Sequence, residues 1–354
     1  MMARVLRLPA AAAAVALGLA AAAPPAGAIF HGAPVAAADA PWSVALTGMS
    51  LACGGALIAP DRVLTAAHCV QGANPDKLRV RLGGDRWPTG RKLAWRGAFF
   101  PKAYRIVPSP EAPGDLSRSA TFADVAVIVL RDRVTDVAPL PLATDAARPG
   151  EAARTVGRGR TGPRPAPTSE RPRAADQQVL DPAECTKAYG SLFAGGDQLC
   201  TEDLTATAAQ ACAGDSGSPV LVQRDGAPAV AGVVAWGNET QGDDCGDGLP
   251  DVSARVAAHA SLITGAAPAR LAPHARRRVR VRRAGHTLRC VVGAWTPSDA
   301  TFSIRWWRRT DQARVITVGG TRRTRRASPT AKLGCSVTAR TAGGWATEDS
   351  YNLL

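Results

Sequence analysis

The sequence predicts an all-β protein of two or three domains. Its 354 residues include 35 glycines and 27 prolines, a share that suits turn-rich strands better than a helical bundle. At about 150 residues per domain, this length corresponds to two or three domains. The hydrophobic fraction of 46% is typical of globular proteins and excludes a disordered or fibrous chain.

The formal charge of +14 is confined to the last quarter of the chain. Residues 1–265 carry 25 basic and 25 acidic side chains, whereas residues 266–354 carry 18 basic and 4 acidic ones. A break this sharp marks a domain boundary, and any polyanion-binding role belongs to the C-terminal part. The alternative is that the excess charge only keeps a secreted module soluble.

The N-terminus has the pattern of a secretory signal peptide. Arg4 and Arg7 precede an apolar run from Ala10 to Ala23, which small residues follow up to Ala28. Cleavage after Ala28 would make Ile29 the first residue of the mature protein. No later segment reaches about 18 consecutive apolar residues, so no membrane span is expected. We therefore expect a secreted, extracellular protein whose eight cysteines are oxidised.

Three motifs in the first 265 residues bring a histidine, an aspartate and a serine, in that order. They are Cys53-Gly-Gly-Ala-Leu-Ile-Ala-Pro-Asp-Arg-Val-Leu-Thr-Ala-Ala-His68-Cys69, Ala123-Asp124-Val-Ala-Val-Ile-Val-Leu130 and Ala211-Cys212-Ala-Gly214-Asp215-Ser216-Gly217-Ser218-Pro219. A serine hydroxyl needs a base to become a nucleophile, and a carboxylate behind an imidazole fixes its tautomer. The flanking glycines allow the backbone N–H groups of Gly214 and Ser216 to hold an oxyanion.

From Ile29 to about Gly265, the chain resembles the trypsin-like (chymotrypsin-family) serine proteases. The resemblance implies two Greek-key β-barrels closed by a helix, for which we expect residues 254–263. It also implies that His68 is the general base, Asp124 its orienting acid and Ser216 the nucleophile of an endopeptidase acting on proteins or peptides through an acyl-enzyme. The alternative is a catalytically inactive protease-fold protein with a binding or adhesion role.

The same resemblance implies roles for further residues. After cleavage, the α-amino group of Ile29 would pair with Asp215. Gln210 would lie at the base of the substrate pocket, and the pocket walls would comprise Ala235, Trp236, Gly237 and Asp251. Gln210 replaces the acid of arginine- and lysine-specific members, and Asp251 stands where a glycine is common. We therefore expect a basic or broad P1 preference, unless Asp251 points to solvent. Ala235 replaces a serine that usually contacts the triad acid.

The resemblance further implies the disulfides Cys53–Cys69, Cys185–Cys200 and Cys212–Cys245, and it leaves Cys290 and Cys335 for the C-terminal part. The sequence contains no Cys-x₂-Cys pair of the kind that binds zinc, and no acidic pair suited to a calcium loop follows His68. We therefore expect neither a metal nor a cofactor.

The basic C-terminal part divides into a linker, residues 266–280, and a module, residues 281–354. Short β-prone runs with Cys290, then Trp306 or Trp307, then Cys335 resemble a small immunoglobulin-like β-sandwich. Its ligand stays open between a polyanionic surface or cell-wall polymer, an extracellular nucleic acid, and no ligand at all if it is a spacer. We expect the protein to be a monomer.

Overall fold

The computed structural model describes residues 29–48, 51–86, 89–110, 112–113, 119–162, 167–237, 245–246, 248–309, 315–317, 323–326 and 332–350. The predicted signal peptide, residues 1–28, lies outside the described residues. Among those described, no helix is long and apolar enough to cross a membrane. Nearly all regular structure is β, and two barrel-like sheets confirm the predicted fold class.

The first sheet curls into a half-barrel of seven strands in the order β6-β5-β2-β3-β4-β10-β7. Alternating or continuous Val, Leu and Ile residues fill its interior, and all five residues of its strand Ala126–Leu130 are buried. The first strands along the chain are β1 Ala33–Pro34, β2 Ser43–Gly48, β3 Leu51–Ala59, β4 Arg62–Thr65, β5 Arg79–Leu82, β6 Arg91–Leu93, β7 Trp95–Phe99, β8 Arg105–Pro108, β9 Ser119–Phe122 and β10 Ala126–Leu130. Strand β1 lies outside the first sheet, because it pairs with the strand Arg173–Val179 of the second sheet. Strands β8 and β9 form a separate hairpin.

The second sheet closes into a six-stranded barrel, because β12 pairs with both β11 and β13. Its strands are β11 Ala152–Gly157, β12 Arg173–Val179, β13 Gln198–Glu202, β14 Pro219–Arg224, β15 Ala227–Trp236 and β16 Asp251–Arg255. The hairpin between β14 and β15 turns at Asp225 and Gly226, which have φ angles of 51° and 78°. Asp-Gly suits such a two-residue turn, since both central residues need positive φ.

In the described part of the chain, three short α-helices accompany the barrels: α1 Ala67–Val70, α2 Pro182–Tyr189 and α3 Ala260–Thr264. The prediction of a helix over residues 254–263 is wrong for its first residues. Ala254 and Arg255 belong to β16, because their backbones pair with Gln198 and Gly232. Helical structure begins with a 3₁₀ turn at Ala257–His259 and continues into α3.

From here on, the C-terminal module means residues 270–350, which form further β-sheets from His274 onward. Its strands are β17 His274–Arg277, β18 Arg280–Ala284, β19 Thr287–Val291, β20 Ala294–Thr296, β21 Thr301–Arg309, β22 Val315–Thr317, β23 Thr324–Arg326, β24 Gly334–Thr341 and β25 Gly344–Asp349. Strands β18, β19 and β23 form one sheet, and β22, β21, β24 and β25 form another. The segment predicted as a linker, residues 266–280, thus contains the strand β17.

The C-terminal module is packed against the first barrel along strand β7. The Ala272 N–H donates to the Ala98 carbonyl (2.7 Å). Leu271 covers Gly97, where a Cβ would lie 2.9 Å from the Leu271 Cδ1. The space that a glycine leaves is therefore occupied by a residue from outside the barrel.

A second contact is made by the turn between β24 and β25. The Phe100 N–H donates to the Gly343 carbonyl (3.0 Å), and Gly344 lies against the Phe100 ring. Next to it, Trp345 stacks on Tyr104 with ring centroids 5.8 Å apart. Two backbone hydrogen bonds and an aromatic stack therefore join the module to the N-terminal half of the chain.

Candidate active site

His68 and Asp124 are held together by three short segments of the first barrel. His68 lies in α1, directly after β4, and Asp124 lies between β9 and β10. The His68 Nδ1–H donates to Asp124 Oδ2 (2.7 Å), and the His68 backbone N–H donates to Oδ1 (2.9 Å). Asp124 is 0% exposed. The carboxylate therefore fixes both the ring and the backbone of His68.

Thr121 adds a third hydrogen bond to this carboxylate. Its Oγ1–H donates to Asp124 Oδ2 at 2.7 Å. Position 235, where family members usually have a serine in contact with the triad acid, is a buried alanine. We did not single out Thr121 from the sequence. The signal that could have found it was its place three residues before Asp124, together with the missing hydroxyl at Ala235.

The electrostatics of the pair favour an ionised aspartate. Burial alone would raise the pKa of Asp124, but the His68 imidazole and the hydrogen bonds from His68 and Thr121 hold that pKa below its ordinary value. An ionised carboxylate accepts a hydrogen bond from Nδ1–H, which keeps the proton on Nδ1 and leaves Nε2 as the basic nitrogen of the ring. The arrangement can therefore present a neutral imidazole that is ready to take a proton.

Ser216 lies in a tight loop against the segment that bears His68. Its carbonyl accepts a hydrogen bond from the Gly54 N–H (2.7 Å), and the Cys69 Sγ is 3.8 Å from the same oxygen. Cys69 follows His68 directly and is bonded to Cys53, which precedes Gly54. The structure thus brings the serine, histidine and aspartate segments together between the two barrels.

The backbone around Ser216 is held in a turn that needs glycine. Gly214 and Gly217 have φ angles of 100° and 82°, and a Cβ at Gly217 would lie 2.4 Å from the Thr65 Oγ1. The Ser218 N–H donates to the Asp215 carbonyl (2.9 Å). Residues with side chains at 214 and 217 would strain this loop. The need for positive φ at both positions therefore explains the Gly-x-Ser-Gly spacing.

The Asp215 side chain is completely enclosed. Its Oδ1 accepts from the Gly159 N–H (2.6 Å) and its Oδ2 from the Cys212 N–H (3.0 Å). Burial raises the pKa of Asp215 to about 7, although these backbone donors oppose the rise. Ile29 is also buried, at 0% exposure, where it packs on Ala175 and Ala209.

Gln210 and Asp251 both line a small cavity of about 20 Å³. The Gln210 amide binds the adjoining wall, donating to the Leu249 carbonyl (2.5 Å) and accepting from the Gly246 N–H (2.6 Å). Asp251 lies on β16 and is 5% exposed, so it does not point to solvent. Its Oδ2 accepts from Gln177 Nε2 (2.6 Å) and from the Ala211 N–H (2.9 Å).

Trp236 connects the second barrel to the Asp124 segment. Its Nε1–H donates to the Thr121 carbonyl (3.2 Å), and the ring of Tyr189 meets it edge-on at 4.9 Å. Ala235, Trp236 and Gly237 are all buried. Thr121 therefore contacts both sides of the cleft, through its hydroxyl to Asp124 and through its carbonyl to Trp236.

Four disulfides are present: Cys53–Cys69, Cys185–Cys200, Cys212–Cys245 and Cys290–Cys335. The first three are the pairs that the resemblance to the proteases implied, and the fourth joins the two cysteines that it left for the C-terminal part. Cys53, Cys69 and His68 lie close enough together to suggest metal ligands. Since both sulfurs are bonded to each other, they do not supply the thiolates that a zinc site requires.

A His–Asp pair and a serine loop between two β-barrels are the defining features of the chymotrypsin-like serine proteases. The family model described as Trypsin matches residues 29–263, and the chain belongs to this family.

Individual relatives are similar over the same region. The chain is 30% identical to trypsin 5G1 of Aedes aegypti over 239 residues, which cover 65% of this chain and 82% of that protein. It is 28% identical to trypsin iota of Drosophila melanogaster over 227 residues, which cover 62% and 80%. Neuropsin, a serine protease expressed in the limbic system of mouse brain, has a similar fold, with a TM-score of 0.54 and 24% identity over 66% of this chain and 98% of the neuropsin chain.

Proposed function

We propose that the protein is a secreted serine endopeptidase that cleaves peptide bonds with His68, Asp124 and Ser216. The observation that carries the proposal is the buried Asp124 carboxylate bound to His68 Nδ1 at 2.7 Å, beside the loop that bears Ser216. His68 Nε2 takes the proton of the Ser216 hydroxyl as Oγ attacks the substrate carbonyl, and then gives it to the leaving amine. Water releases the acyl group by the same steps.

The oxyanion of each tetrahedral intermediate is held by the N–H groups of Gly214 and Ser216 in this proposal. This assignment is supported by the turn at residues 214–217, which the Cys212–Cys245 disulfide and the buried Asp215 stabilise. One such donor is worth roughly 2.7–4 kcal/mol of the barrier. Activation follows when cleavage before Ile29 frees an ammonium that pairs with Asp215.

For the substrate pocket we propose Gln210 at the base and Ala235, Trp236, Gly237 and Asp251 along the walls, with a basic or broad P1 preference. The support is limited to Gln210 and Asp251, which line one cavity of about 20 Å³; Ala235, Trp236 and Gly237 are assigned from the resemblance to the family. A buried carboxylate there attracts a positively charged P1 group, while the neutral Gln210 admits other side chains.

We further propose a boundary near residue 265 between the catalytic domain and the basic C-terminal part, and an immunoglobulin-like sandwich in that part. The Cys290–Cys335 disulfide joins β19 of one sheet to β24 of the other, and Trp306, paired with Cys335, is almost wholly buried. The four disulfides and the predicted signal peptide support an extracellular location. The basic module then serves as an attachment site for a polyanion on a surface or cell wall.

An organophosphate serine probe tests the catalytic proposal against the inactive alternative. We expect the native chain beginning at Ile29 to be labelled once, and the Ser216→Ala variant not to be labelled, because only an activated serine reacts at neutral pH. Heat-unfolded protein serves as the control for non-specific labelling. Native protein that stays unlabelled would favour a binding protein with a protease fold.

We expect Thr121→Val to lower kcat about tenfold, with KM little changed. Valine keeps the shape of threonine but removes the Oγ1–H that donates to Asp124, and a hydrogen bond to a charged group is worth about 1.5–3 kcal/mol. Thr121→Ser keeps the hydroxyl and should stay within about threefold of the wild-type kcat. Steady-state kinetics on a peptide substrate measure both, and equal losses in the two variants would assign Thr121 a packing role instead.

A further inference from the structure

The outer face of the C-terminal module carries a groove whose charged lining is made of arginines alone. The groove has a volume of about 580 Å³, and its cations are Arg280, Arg282, Arg289 and Arg323. All four side chains are exposed. Within the part of the chain that the structure describes, no carboxylate forms an ion pair with any of them.

The strand register places these charges against each other. Arg282 on β18 is the direct partner of Arg289 on β19, and Arg280 lies two residues away on the same face of β18. Like charges directly opposite in an antiparallel pair destabilise the sheet. The Cys290 N–H donates to the Arg323 carbonyl (2.8 Å), which fixes Arg323 at the side of the same sheet. The fold therefore holds four cations together at a cost that a bound polyanion would offset.

We propose that this groove binds the backbone of a linear phosphodiester polymer. The guanidinium fork matches the oxygens of a phosphate and holds them by two parallel hydrogen bonds. Four separate forks exceed what one phosphate can use, so a chain of phosphates fits the groove better than a single ion. The inference rests on the attachment role proposed above, and names its site and its chemistry.

The aromatic residues of the groove favour recognition of the backbone over recognition of nucleic-acid bases. Trp295 is 5% exposed, and its Nε1–H donates to the Val292 carbonyl (2.8 Å). Phe302 is partly buried and packs on Trp295, with ring centroids 6.0 Å apart. Binding of single strands through bases depends on open aromatic faces. These rings instead form an apolar floor below the arginines.

The test compares two variants of the full chain that lose the same charge. Arg282→Gln with Arg289→Gln removes two cations of the groove, whereas Arg305→Gln with Arg308→Gln removes two exposed cations on β21 of the other sheet. The probe is poly(glycerol phosphate), titrated at several salt concentrations. We expect the groove variant to lose at least tenfold in affinity at about 0.1 M salt, and its slope of log affinity on log salt to flatten by about 1.4. The β21 variant should lose less than threefold.

Several outcomes would overturn the proposal. These are no binding by the wild-type chain, equal losses in the two variants, or equal affinity for polyglutamate of the same charge. A single-stranded oligodeoxythymidine that binds far more tightly per phosphate would point to base recognition instead. Both variants should keep wild-type activity on a peptide substrate, so this result is independent of the proposed catalysis. The groove variant should also unfold at or above the wild-type temperature, because it loses a like-charge pair.

Discussion

A chain that retains residues before Ile29 is expected to be at least 100-fold less active than the chain that begins at Ile29. Without the free ammonium, the donors that the described residues offer to the buried Asp215 carboxylate are backbone N–H groups, and burial raises its pKa to about 7. Asp215 lies between Gly214 and Ser216, so an unpaired charge there disturbs the N–H groups proposed for the oxyanion hole. Loss of one such donor typically costs about 10²–10³ in kcat.

Because of Asp215, we expect the uncut chain and the chain cut before Ile29 to differ in the pH dependence of their stability. In the uncut chain the pKa of Asp215 is higher in the folded state than in the unfolded state. The stability of that chain is therefore greatest below the unfolded pKa and falls as the pH rises through about 7. A rise from 3.8 to about 7 corresponds to a loss of about 4 kcal/mol. Once the ammonium pairs with the carboxylate, this loss should disappear.

Urea unfolding of the cut and uncut chains between pH 4 and pH 7 measures that difference, because the α-amino group freed at Ile29 has an ordinary pKa of about 7.7–8.0 and stays protonated over this range. Ser216→Ala in both chains prevents self-digestion during the measurement. Asp215→Asn provides the control: without a titrating group at 215, cut and uncut chains should show parallel pH curves. Parallel curves in the chains that keep Asp215 would contradict the pairing with Ile29.

The three segments that meet at the candidate site could be found in the sequence because each is a short run of adjacent residues. The Ser216 loop depends on glycines at 214 and 217, which the positive φ angles require, and the motif records them directly. The two-barrel fold could be predicted for the same reason, because several such motifs occur in the order that is typical of the family. The third donor to Asp124 was missed, because the orientation of the Thr121 hydroxyl follows from the hairpin of β8 and β9 and not from any motif.

The packing of the C-terminal module against the first barrel also could not be predicted from the sequence. Composition led us to expect a linker over residues 266–280, since alanine and proline dominate its start. Besides the Leu271 side chain, the contacts of this segment are made by backbone groups: the N–H of Ala272, and the carbonyl of Leu271, which accepts from the Thr341 hydroxyl (2.8 Å). Backbone groups are the same in every residue, so composition carries no record of which of them find distant partners.

The largest effect on stability is expected from Gly344→Ala, at the contact between the module and the first barrel. A Cβ on residue 344 would lie 2.6 Å from the Phe100 Cζ, and the φ of 142° is one that side chains rarely adopt. Overpacking and backbone strain cost about 1–3 kcal/mol each. We therefore expect the free energy of unfolding to fall by about 3 kcal/mol or more.

Hydrogen exchange locates this effect. The amides of Phe100 and Ala272 donate across the contact, to Gly343 and Ala98, so both should lose protection in Gly344→Ala. Gly285→Ala is the matched control, because Gly285 also has positive φ but a Cβ there would meet no atom within 4 Å. It should lose little stability and leave both amides protected. If the two variants lose equal protection at these amides, the loss comes from backbone strain within the module, and the module contributes little to the stability of the catalytic domain.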